Sequence, residues 1–132
     1  MGSVKIDTTK GERSIDTQYA GLNSPDQVKR LLRDYNTLIE RQYAGDYDAV
    51  VLLADLETAI ERAGLTARQR QALALVYIED LTQKDVAARL NIRQPNVAAY
   101  TDRACEKIAE IYEMWAWEGE GYSFYDFSEG VE

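Results

Sequence analysis

Residues 82–101, TQKDVAARLNIRQPNVAAYT, gather side chains whose chemistry is hydrogen bonding and charge pairing rather than bond making. They include the cations Lys84, Arg89 and Arg93 and the amides Gln94 and Asn96. Arginine forks and asparagine or glutamine amides are the groups geometrically able to pair with guanine and adenine edges. The spacing of the residues around them is that of a helix-turn-helix, which would present its second helix to a groove of DNA.

Each point of that spacing has a physical reason. Thr82 is a helix N-cap with Asp85 three residues on, and Leu81 and Val86 stand where a hydrophobic staple packs. Val86, Ala87 and Leu90 form one apolar face, and the small Ala87 lets a second helix cross closely. Asn91 is where the chain must bend, because asparagine tolerates the left-handed conformation that ends many helices. Ile92 can plug the corner. Pro95 suits the first position of a new helix, with Gln94 as a weak N-cap. Val97, Tyr100, Ala104 and Ile108 then form a stripe facing the first helix, which leaves Pro95, Asn96, Ala98, Ala99, Asp102 and Arg103 outward.

Upstream, residues 65–80, LTARQRQALALVYIED, predict another helix: Thr66 and Gln69 make a capping box, and Leu73, Val76 and Tyr77 an apolar face. Together, residues 65–113 resemble region 4 of the sigma-70 family of RNA polymerase sigma factors. The most specific elements are LTARQRQAL, Tyr77 followed by Glu79 and Asp80, LTQKDVAARL, and the exit from Ala104 to Ile108. The resemblance implies binding of promoter DNA through the second helix and contact of the first part with a flexible flap of the polymerase. Carried over to this chain, Arg93, Gln94, Asn96, Ala99 and Arg103 would face DNA, with Gln94 and Asn96 reading bases. Arg68, Lys84 and Arg89 would hold phosphates, which positions a protein without reading sequence. Ala98 and Ala99 stand where the family often has polar or basic residues, and Asp102 would lie near the phosphates, so one copy should bind weakly. Nothing in the sequence resembles the sigma region that melts promoters, so the expectation is a stand-alone regulator of phage or mobile-element type.

Composition narrows the alternatives. The 132 residues carry 15 basic and 23 acidic side chains, a net charge of −8. The charge is uneven: residues 66–110 hold seven basic against six acidic, whereas residues 111–132 hold six acidic and no basic. Attraction to DNA should therefore be local and salt-sensitive. With no histidine and one cysteine, Cys105, there is no basis for a histidine triad, a cysteine zinc site or an internal disulfide. No enzyme, cofactor or metal is expected, and Cys105 reads as a small core residue. No membrane span is evident, and the expected location is cytoplasmic.

The whole is expected to be all-α, with an N-terminal helical pair before the helix-turn-helix. Residues 1–22 read as a flexible arm, 23–64 as a helical pair serving assembly, 65–113 as the region 4-like domain, and 114–132 as an acidic aromatic tail. Ser24 and Gln27 form a capping box with Pro25 at the first helical position, opening a helix that runs to the Ala44-Gly45-Asp46 break. The next helix, from about Asp48 to Ala63, is apolar on more than one face and so needs two partners, either both within the monomer or one from another chain. A dimer is favoured because it would set two recognition helices on two half-sites. The tail holds Tyr122, Phe124, Tyr125 and Phe127 among carboxylates, a composition suited to docking in a partner or to covering the recognition surface. Double-stranded DNA and RNA polymerase are the expected partners. The alternatives are a small terminase-like subunit marking phage DNA for packaging, or a polymerase-binding adaptor that never touches DNA.

Overall fold

The computed structural model describes residues 21–117, and among them every regular element is a helix. In order these are α1 (Pro25–Arg33), α2 (Tyr35–Tyr43), α3 (Tyr47–Arg62), α4 (Ala67–Leu73), a π-helical turn (Ala74–Ile78), α5 (Gln83–Leu90) and α6 (Gln94–Trp117). Residues 1–20 of the arm expected over 1–22, and the aromatic segment from Tyr122 to Phe127, lie outside the described residues. Leu22 is already buried, so the packed structure begins inside the stretch expected to be an arm. The boundary expected at residue 113 falls within α6, where Trp115 packs edge-on against Tyr112 at 5.3 Å between ring centroids.

Helix α6 is the axis of the fold. Its buried residues Ala104, Cys105, Ile108, Ala109, Ile111, Tyr112 and Trp115 join one core with Val28, Leu31 and Leu32 of α1, Leu38 of α2, Leu53 and Leu56 of α3, and Leu73 of α4. A second, smaller cluster of Val86, Ala87 and Val97, flanked by Leu75, Val76, Leu81, Leu90 and Ile92, sits under α5. Both are built from helical stripes, since residues three and four apart share a face.

Three local departures from the sequence expectation have physical causes. The single helix expected from Pro25 to the Ala44 break is two, because the chain turns at Asp34 (φ −95°, ψ 8°). The turn lets Leu31 and Leu32 face α6 while α2 packs on α3, which one straight helix could not do. Ser24 makes no side-chain cap; its backbone N–H donates to Gly21 O at 3.1 Å instead. The helix expected over residues 65–80 starts with the Thr66–Gln69 capping box but widens after Leu73 into the π-helical turn. There Glu79 N donates to Ala74 O at 2.9 Å and Leu81 N to Leu75 O at 3.0 Å, and Asp80 takes a positive φ of 62°.

The remaining expectations on α3 divide by face. Asp46 caps it by accepting from Ala49 N, and Gly64, at φ 68°, follows its end. Ala49, Leu53, Leu56 and Ala59 are buried, Leu52 and Ile60 half-buried, and Val50 and Val51 exposed beside Tyr43 and Tyr47. No helix among the described residues is long and apolar enough to cross a membrane.

Candidate nucleic-acid interface

The corner between α5 and α6 is built by backbone chemistry. Thr82 Oγ1 accepts from Asp85 N at 3.1 Å, which satisfies one of the unpaired amides at the start of α5. At the other end Asn91 is left-handed (φ 58°, ψ 49°). Ile92 N donates to Ala87 O at 2.9 Å and Asn91 N to Ala88 O at 3.3 Å, the paired closure of a Schellman motif. Ile92 then packs on Val86 and Ala87, plugging the corner.

Helix α6 begins one residue earlier than the N-cap assignment of Gln94 predicts. Gln94 is already helical and Pro95 is second, while Arg93 O accepts from Asn96 N at 2.9 Å and Val97 N at 3.3 Å. The stripe facing inward is also wider than the expected one. Val97, Ala104 and Ile108 are buried, but Tyr100 is only half-buried, and Thr101 and Cys105 are fully enclosed. Thr101 is tolerated there because its hydroxyl donates to Ala98 O at 3.0 Å. Burial pushes the Cys105 thiol up to about 12, the state of an inert core residue rather than a nucleophile. Ala98, expected outward, is half-buried.

What remains outward is a compact polar surface. Arg93, Gln94, Pro95, Asn96 and Ala99 are exposed at the start of α6, and Lys84 and Arg89 are exposed on α5. Neither Lys84, Arg89 nor Arg93 has an acidic partner among the described residues. Arg68 is also exposed, and its Nη1 reaches Leu90 O at 3.5 Å, so it spans from α4 to the end of α5.

Two side chains on this face are differently engaged from the expectation. Arg103 is exposed, but its guanidinium is drawn back along α6 to Glu106 at 3.0 Å and Glu110 at 3.9 Å. Asp102 is bound by Lys29 of α1 at 2.6 Å. That hydrogen bond holds the Lys29 ammonium above the usual lysine range, against the opposing effect of desolvation. The Arg103 pairing has a sequence signal, acids three and seven residues on along one helical face. The Lys29 pairing has none, since the partners are far apart in the chain.

The back of the surface is tied to the rest of the fold by Lys107, whose ammonium donates to Gln69 Oε1 at 2.9 Å and to Gly64 O at 3.4 Å. Gln69 Oε1 also accepts from Thr66 N, so one side chain caps α4 and receives α6. Among the described residues no group of three or more potential metal ligands converges. The arrangement can hold an extended anion and offer amides to a neighbouring surface. Residues 53–108 match the family model for sigma-70, region 4, a span that starts within α3 and ends in the middle of α6. No curated protein and no solved structure matches the chain.

Proposed function

We propose that this chain, whose residues 53–108 match the family model for sigma-70, region 4, is a sequence-specific transcription regulator that reads duplex DNA with the first turns of α6. The observation that carries the reading is the joint exposure of Arg93, Gln94, Asn96 and Ala99 at the start of a helix whose opposite side is buried. Gln94 and Asn96 offer paired donor and acceptor to adenine, and the Ala99 methyl suits contact with a thymine methyl. Arg93, at the corner, serves guanine or phosphate, while Lys84, Arg89 and Arg68 line the flank as phosphate contacts. Arg103 reaches DNA only by leaving Glu106 and Glu110.

The regulator works as a dimer in this proposal. Tyr47, Val50 and Val51 remain exposed on α3, whose other face lies in the core, and a second copy covering them would supply the second half-site.

Selection of bound fragments from random duplex DNA by the full chain tests the reading. An enriched sequence is expected, and Gln94→Ala or Asn96→Ala relaxes preference at one position by about 1–3 kcal/mol. Lys84→Ala instead weakens binding to every sequence and reduces the salt slope by about 1. Failure to enrich any sequence sinks the proposal.

A further inference from the structure

Helix α1 precedes the matched residues 53–108, yet it runs beside the reading helix. Two hydrogen bonds set its direction. Asn23 Nδ2 donates to Glu113 Oε1 at 2.6 Å, and Lys29 Nζ donates to Asp102 Oδ1 at 2.6 Å. As the chain advances from Asn23 to Lys29, its partners on α6 retreat from Glu113 to Asp102. Helix α1 therefore runs antiparallel to α6, and its C-terminal end points toward the end of α6 that holds Asn96 and Ala99.

That C-terminal end is basic. Arg30 and Arg33 occupy the last turn of α1, both are exposed, and neither has an acidic partner among the described residues. Arg33 acts electrostatically on Tyr77 and Cys105, as Lys29 and Asp102 do, which places it on the side of α6 that faces α1. Asp102 is the one acidic residue of α6 before Glu106. Lys29 cancels its charge at the point where the two helices meet.

We propose that Arg30 and Arg33 form a second phosphate-holding edge, gripping the DNA backbone alongside the segment that α6 reads. The ligand is the phosphodiester backbone of duplex DNA, so the proposal rests on the DNA-binding reading above. Arginines at the rim of a reading helix add affinity and fix orientation without adding base preference. Lys29 has a separate part: it removes a carboxylate that would repel those phosphates and fixes α1 in place. An acidic chain with only a small basic excess in its region 4 domain gains from cations delivered by another helix.

The test uses the full chain, the selected duplex and a scrambled duplex, with affinity measured across a salt series. Replacing both Arg30→Ala and Arg33→Ala is expected to weaken binding to the two duplexes by the same factor. The slope of log affinity against log salt should fall by about 1.8, the release expected for two phosphate contacts. Both side chains are exposed, so the thermal melt should be unchanged. An unchanged slope, with the unaltered chain still selecting its site, overturns the proposal and leaves the DNA reading standing. Unequal loss on the two duplexes assigns these arginines to base edges and also overturns it. Failure of the unaltered chain to bind either duplex overturns both readings. For Lys29, the variant Lys29→Ala should bind more weakly and Asp102→Asn added to it should recover affinity; no recovery overturns the charge-cancelling role.

Discussion

The two ends of α6 are the same helix in two different environments. From Ala104 to Trp115 it is enclosed by α1, α3 and α4, with seven of its side chains buried in the main core. From Gln94 to Arg103 only Val97 and Thr101 are buried, and the local cluster holds just Val86, Ala87 and Val97. A helix of 24 residues spans about 36 Å, so the outward surface lies at one end of a rod whose other end is held in the main core, with α5 behind it and Lys29 holding Asp102. Rigidity at the exposed end comes from the small cluster under α5 and, along the helix, from the main core. A surface that presents side chains in fixed geometry cannot itself be buried, and one uninterrupted helix reconciles the two demands.

Substitutions at the two ends should separate them. The largest effect is expected from Ile108→Ala, which empties a fully buried position in the clamped half and lowers global stability by about 2–5 kcal/mol in urea titration. A smaller and more local effect is expected from Asn91→Ala at the corner, roughly 1–2 kcal/mol from placing alanine at a left-handed backbone. Amide hydrogen exchange should quicken in α5 and the corner while α1 and α3 stay protected, and Asn91→Gly should show neither change. If both Ile108→Ala and Asn91→Ala accelerate exchange evenly, the two ends form one cooperative unit and the contrast fails.

The smallest effect concerns α3, on the clamped side. Burial pushes the Asp55 carboxyl up to about 6. Its folded-state value exceeds the unfolded one near 3.9, so the folded chain holds the extra proton between them and its stability falls as pH rises through that window. Above about pH 6 the loss is complete. Asp55→Asn removes this slope and raises stability at pH 7 by up to about 1 kcal/mol, a figure kept low because the carboxyl is only partly enclosed. Denaturation at pH 4.5 and pH 7 should show a smaller difference for the variant than for the unaltered chain; an equal difference assigns the pH dependence to other groups.

Legibility in the sequence follows the range of the interaction. Thr66 with Gln69, Thr82 with Asp85, and the left-handed Asn91 were readable because capping and corner formation involve side chains and backbone a few residues apart. The break at Asp34 was not, because the apolar spacing continues across it and only the competing demands of α3 and α6 decide the bend. The pairing of Arg103 with Glu106 and Glu110 is legible in the sequence, because helical spacing puts both acids within reach on its own helix. The Lys29–Asp102 pair depends on how α1 packs, and no local pattern announces it.

The π-helical turn gives chain length the role of an angle. In an α-helix each residue advances the rotation by about 100°, so a wide turn that accommodates extra chain resets the direction in which everything after it departs. Residues 74–78 stand between α4, clamped by Gln69 and Lys107, and α5, which packs behind the exposed start of α6. Deleting one residue there would leave the hydrophobic content almost intact while re-aiming the path into α5. The direction in which α5 departs, and with it the placement of Gln94 and Asn96, thus depends on a count of residues in the turn before it.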